Sequence, residues 1–231
     1  MIMSQLIIIR TDASQKIGSG HVMRCLTLAE ALRDSGVTIE FVTRDHPGNL
    51  NKYIIGKGFK AHLLPDRKIS KSQESLAGYE QWLGVPQEVD ASQTIEAVEG
   101  KDSNWMIIDH YALDHEWEKR LRPHTGKIMV IDDLANRSHD CDLLLDQNYI
   151  HDQHRYDELL FPNTLRLLGP SYALLRKDFA ARNNGSVRSK HQINRIFIFF
   201  GVSDLDNLTS TAIKALKHPN LRHLLVDVVV G

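Results

Sequence analysis

Short apolar, β-branched runs recur along the chain, most of them separated by stretches with helical spacing. They are Leu6–Ile9, Thr38–Thr43, Ala61–Leu64, Trp105–Ile108, Ile128–Ile131, Leu143–Leu145, Ile196–Phe200 and Leu224–Val230. Runs this short, apolar on consecutive positions, predict strands buried on both faces, hence a largely parallel sheet between helices. After the first run, Val22, Cys25, Leu26, Ala29 and Leu32 recur at three- and four-residue spacing, and Gly36 offers a C-terminal cap. The segment RTDASQKIGSGHVMRC, from Arg10 to Cys25, therefore lies on a strand-to-helix turn.

The pattern breaks once. ARNNGSVRSKHQ, from Ala181 to Gln192, is polar and lacks apolar periodicity, which predicts a linker. Residues 1–182 then form an N-terminal Rossmann-like domain, 183–192 a linker, and 193–231 the start of a second domain. The last segment reads strand, helix, strand, about the ~40-residue size below which a domain buries too little surface to stand alone. An incomplete second Rossmann-like domain is the expectation.

Composition narrows the partners. The 231 residues carry 28 Lys and Arg against 29 Asp and Glu, so the clustered basic surplus of a nucleic-acid binder is missing. No run approaches the ~20 apolar residues of a membrane span. The expectation is a soluble cytoplasmic protein with neither nucleic acid nor membrane as a partner. Cys25 and Cys141 are too few for a disulfide framework and lack zinc-site spacing.

In open parallel sheets ligands bind outside the carboxyl ends of the strands, so the polar residues that follow each apolar run are the candidates for chemistry. The first strand gives Arg10, Asp12 and the turn Gly18-Ser19-Gly20-His21; later strands end in Asp109-His110-Tyr111, Asp132-Asp133 and Asp146-Gln147-Asn148. Each of these Asp and Asn residues also suits a turn or helix cap. Gly18 and Gly20 let backbone approach a ligand, and a helix starting near His21 turns unpaired N–H groups toward the same space. A third glycine of a dinucleotide fingerprint would fall at Met23, so the turn is not that motif. An imidazole, with an unperturbed pKa near ~6.5, makes His21 a candidate general base with Asp12 as the group that could hold its tautomer. A packed or capping histidine stays equally open on residue type alone. His110, His115, His124, His139, Asp132, Asp133 and Asp142 show no ligand-pair spacing, so neither a metal nor another cofactor is expected. A Gly-x-Ser-x-Gly elbow and a P-loop are both missing, and Trp82, Trp105 and Trp117 are isolated, as core or helix-face residues are.

Taken jointly, Arg10-x-Asp12-x-Ser14, IGSGHVMRCLTLA, IIDHY, VIDDLANRSHDCDLLLDQN, LLGPSYALLRKDF and FFGVSDLDN resemble, in order and spacing, the hydrolases of pseudaminic acid biosynthesis that act on UDP-2,4-diacetamido-2,4,6-trideoxy-β-L-altropyranose. The resemblance implies a GT-B-like α/β fold, with two Rossmann-like domains, and a UDP-sugar as the substrate. It implies that His21 activates water for attack on the anomeric carbon with inversion and without a metal. By the same matching, Asp12, Tyr111, Asn148, Tyr172 and Arg176 would line the sugar, and Gly201, Ser203, Asp204 and Asn207 would approach the diphosphate. Two departures stand out. Val202 occupies a position where the family usually has glycine, and family members continue well past VDVVVG. A glycosyltransferase with an organic acceptor, or a truncated non-catalytic remnant serving as an interaction module, are the alternatives.

Overall fold

A computed structural model describes residues 5–66, 78–181, 193–201, 204 and 206–230. The expected linker, 183–192, lies outside the described residues, as do Val202 and Ser203. The chain divides into two compact units, Met1–Arg176 and Lys177–Gly231, a division that falls ahead of the expected boundary at residue 182.

The first unit runs β1 (Leu6–Thr11), α1 (Gly20–Asp34), β2 (Thr38–Arg44), α2 (Asn51–Gly56), β3 (Lys60–Leu64), α3 (Glu80–Leu83), α4 (Gln87–Ala97), β4 (Ser103–Asp109), α5 (His115–Leu121), β5 (Thr125–Ile131), β6 (Leu143–Asp146) and β7 (Leu165–Leu168). The strands form one sheet in the order β3-β2-β1-β4-β5-β6-β7, with every pairing parallel. Because successive strand side chains point to opposite faces, the continuous apolar runs supply two cores. Ile8, Val42, Met106 and Ile108 pack with Trp117 and Leu121 of α5 on one face. Ile7, Ile9, Phe41 and Ile107 pack with Val22, Cys25, Leu26 and Ala29 of α1 on the other. The helical spacing read for α1 is therefore the spacing of its buried stripe. Gly36, at φ +85°, donates its N–H to Arg33 O and closes that helix, as its position predicts.

The apolar pattern omits β7. It is a four-residue edge strand carrying Arg166, with none of its residues buried, so it has no double-faced run to announce it.

The second unit contains α6 (Lys177–Ala181), β8 (Arg195–Ile198), α7 (Leu208–Ala215) and β9 (Leu225–Val228). β8 and β9 pair in parallel, with Arg195 and Asp227 forming a cross-strand ion pair. Phe197, Leu225 and Val226 on these strands are exposed.

Candidate active site

The strand order of the first unit reverses direction between β1 and β4, and the carboxyl ends of these two strands bound the crevice where an open parallel sheet takes its ligand. The chain leaves β1, bridges Ser14 to Gly18, and enters α1 one residue before His21. Gly18 adopts φ +78°, the left-handed region that favours glycine, and its N–H bonds Ser14 O at 2.8 Å. A Cβ at Gly18 or Gly20 would meet nothing within 4 Å, so open space adjoins the turn. Ser19 makes no side-chain cap, and the first-turn N–H groups of α1 have no intrahelical acceptor.

His21 Nδ1 lies 2.6 Å from Asp109 Oδ1, with the histidine side chain 8% exposed and the carboxylate fully buried. Arg24, one turn along α1, donates from Nε to Asp109 Oδ2 and from Nη2 to Oδ1, both at 2.6 Å. The Cys25 thiol adds a contact to Oδ2 at 3.4 Å. Burial by itself would raise the Asp109 carboxyl, but the charges and hydrogen bonds of His21 and Arg24 outweigh it and hold the group well below the usual carboxylate range. An ionised Asp109 accepts from Nδ1–H, which leaves the unprotonated lone pair on Nε2. Among the described residues nothing hydrogen-bonds Nε2.

Asp12 does not hold the histidine tautomer. Its side chain is fully buried on the opposite face of the sheet, where it accepts from Arg10 Nη1 at 2.6 Å, Arg10 Nη2 at 2.9 Å and the backbone N–H of Arg44 at 2.6 Å. Arg10 also binds Asp90 of α4, as do Arg44 and the Trp117 indole N–H. Two guanidinium groups and two carboxylates thus neutralise one another beneath the site. Asp12 supports the sheet end here, and its burial keeps it from the accessible lining expected of it.

Tyr111 and Asn148 do converge on this end of the sheet, and a residue outside the expected site set joins them. Asp133, just past β5, accepts from the Tyr111 hydroxyl at 2.6 Å, from Asn148 Nδ2 at 3.2 Å and from Arg24 Nη1 at 3.3 Å. The Tyr111 ring meets His21 edge-on at 4.5 Å and stacks on Trp82 at 5.7 Å, with Tyr79 against both Trp82 and Tyr111. Burial and the Asp133 carboxylate push the Tyr111 hydroxyl far up, so it stays protonated. Trp82, half-buried on α3, is therefore part of this aromatic wall.

Tyr172 sits exposed in a 3-10 turn after β7, and Arg176 is exposed at the end of the first unit. Gly201, at φ +91°, follows β8 in the second unit. Asp204 Oδ1 and Oδ2 accept from the N–H groups of Leu208 and Thr209 at 2.8 Å, and Asn207 Oδ1 accepts from Ser210 N–H at 3.3 Å. These side chains cap α7. Their oxygens serve the first amides of that helix, which have no intrahelical acceptor.

Asp109 and Asp133 stood among the strand-end residues, but their roles depend on partners distant in sequence. Arg24 had a readable signal, since its spacing of three from His21 places both on one helix face. Nothing in the spacing announces Asp90, Tyr79 or Trp82. A cleft of about 850 Å³ opens at the other end of the sheet, lined by Glu99, Lys101, Asp102, Trp105, His124 and Lys127. Among the described residues, no group of three or more His, Cys, Asp or Glu side chains is arranged to hold a metal ion, and no helix is long and apolar enough to cross a membrane.

No protein-family model matches the chain. It is 29% identical over 205 residues to the UDP-2,4-diacetamido-2,4,6-trideoxy-β-L-altropyranose hydrolase of Campylobacter jejuni, a match covering 88% of this chain and 62% of that protein. It is 27% identical over 232 residues to an uncharacterized protein of Methanocaldococcus jannaschii, covering 97% of this chain and 42% of the relative. The chain thus spans less than two thirds of the length of either relative. In three dimensions it is similar to MurG of Acinetobacter baumannii, with a TM-score of 0.51, 10% identity, and coverage of 97% of this chain and 68% of that one. At that identity the likeness concerns fold alone, and the fold is α/β, Rossmann-like and GT-B-like.

Proposed function

We propose that the chain carries the base of a nucleotide-sugar hydrolase, which splits the anomeric C–O bond of a UDP-linked 2,4-diacetamido-2,4,6-trideoxy sugar. The observation that carries this reading is the His21–Asp109 pair, with no hydrogen bond to Nε2 among the described residues, at the strand ends beside an uncapped helix start. Water bonded to Nε2 would attack the anomeric carbon while its proton passes to His21. The bond to the phosphate oxygen breaks with its electrons on UDP, and inversion follows. Asp109 stabilises the imidazolium as it forms, the part an orienting carboxylate plays in an acid–base pair. A nucleoside diphosphate is already a competent leaving group, so the chemistry asks for a placed base and phosphate-charge stabilisation in preference to a covalent nucleophile.

The name of the Campylobacter relative supports the choice of sugar. Within this reading Tyr111 and Asn148 face the sugar. Contacts of Tyr172, Arg176, Gly201, Ser203, Asp204 and Asn207 with substrate rest on the sequence resemblance alone.

The test is turnover of the UDP-linked sugar in oxygen-18 water. Label is expected in the released sugar, with initial inversion and with activity persisting in EDTA. His21→Gln and His21→Phe should each lower kcat by at least about 10²-fold at nearly unchanged Tm. Label in the phosphate of UDP, or a His21 variant retaining a tenth of wild-type kcat, would overturn the mechanism. Transfer to an added alcohol in preference to water would make the protein a glycosyltransferase.

A further inference from the structure

Hydrolysis as described needs a base and a water, and assigns nothing to Arg24 or Asp133. Both side chains are nevertheless largely buried, 13% and 14% exposed. The Arg24 guanidinium spends Nε and Nη2 on the two oxygens of Asp109 and turns Nη1 to Asp133 Oδ2 at 3.3 Å. It therefore bridges carboxylates from the ends of β4 and β5 that would otherwise repel. The first carboxylate orients His21; the second accepts from Tyr111 and Asn148. Only a planar fork can serve both at once, since an ammonium is a point charge.

We infer that Arg24 and Asp133 are positioning residues that lock the base and the sugar-facing side chains into one unit and fix the polarity of Tyr111. With its proton committed to Asp133, the Tyr111 hydroxyl offers only lone pairs to a ligand. The group it recognises is then an N–H or O–H donor on the sugar. Asn148, whose amide nitrogen is drawn to the same carboxylate, keeps its carbonyl for a second donor. This inference rests on His21 being the base.

Two measurements separate the inference from that reading. In free protein with nitrogen-15-labelled histidine, wild-type His21 should give the signals of the Nδ1–H tautomer. Arg24→Gln should move them toward a tautomer mixture, while Arg24→Lys and Asp133→Asn leave them in place. In turnover, Asp133→Asn and Tyr111→Phe should each raise KM about tenfold with kcat within about threefold, the scale of one charge-assisted hydrogen bond. The double variant should be no worse than the poorer single one. Arg24→Lys should keep the tautomer yet share the KM defect. Unchanged His21 signals in Arg24→Gln, or additive losses in the double variant, would overturn the lock. Should Arg24→Gln fail to fold, the Asp133 and Tyr111 cycle decides, because it leaves Arg24 and Asp109 in place. A wild-type protein that shows the tautomer but no turnover defeats the hydrolase reading and leaves the lock standing.

Discussion

The two ends of the seven-stranded sheet are made by the same strands and carry different kinds of polar group. At the carboxyl ends, Arg10, Asp12, Arg44, Asp90 and Asp109 are fully buried and mutually paired, with His21 nearly so. At the amino ends, Glu99, Asp102, His124 and Lys127 line the cleft of about 850 Å³ and stand in solvent. The amino end has no desolvated charge pair among these groups. What distinguishes the carboxyl end is charge already withdrawn from water and already oriented, the condition under which a carboxylate can steer an imidazole strongly.

The comparison breaks most severely at Asp90. Asp90→Ala would leave two buried guanidinium groups facing one carboxylate, so we expect a loss of about 3–5 kcal/mol in urea unfolding, the cost of an uncompensated buried charge. A loss below about 1 kcal/mol would show that the carboxyl end does not depend on this pairing. Asp109→Asn should follow closely. It removes the carboxylate charge and one of the two acceptor oxygens that His21 and Arg24 share, which weakens the selection of the Nδ1–H tautomer, and kcat should fall about 10²–10⁴-fold under conditions where circular dichroism shows the variant folded. A kcat within tenfold of wild type would hand the orienting role to another group.

A smaller effect should appear in the pH dependence of stability. Burial, reinforced by Arg10 and opposed by Asp12, pushes His110 down to about 3. In the unfolded chain a histidine titrates near ~6.5. Between these values the unfolded state holds the extra proton, so stability is fully present above the unfolded pKa. It declines as pH falls toward the folded one, by up to about 1.4 kcal/mol per pH unit. His110→Asn should flatten the urea midpoint over this window; an unchanged slope would assign it elsewhere. Below pH ~4 a second decline should set in, because Asp12, Asp90 and Asp109 are all held under the ordinary carboxylate range. The smallest effects belong to the amino end. Glu99→Gln and Lys127→Ala should change stability by less than about 0.5 kcal/mol and leave kcat alone. A tenfold drop in kcat from either would move the functional site to that cleft.

Much of the first unit was legible because its strands are buried on both faces and its first helix carries a regular stripe. Edge strand β7 was not, since Leu167 and Leu168 are only partly buried and Arg166 interrupts the apolar run. The turn bearing His21 was legible as a place where chemistry could sit. Its partner was not. The hydrogen bonds that build the site join Arg10 to Asp90, His21 to Asp109, Arg24 to Asp133 and Tyr111 to Asp133, pairs that no local periodicity connects.

By itself the sequence determined a parallel α/β sheet and a histidine at the turn leaving its first strand, because hydrophobic periodicity and glycine placement are local properties. Tertiary structure decided which carboxylate serves that histidine. Along β1 and the residue after it, Ile8, Arg10 and Asp12 share the face covered by α4 and α5, so Asp12 meets Asp90. Along β4, Ile107 and Asp109 share the other face, beneath α1, so Asp109 meets His21 and Arg24. Strand pairing sets Asp109 beside Thr11, level with the end of β1, and the two-residue alternation of a strand then separates two aspartates that the chain alone presents as equivalent.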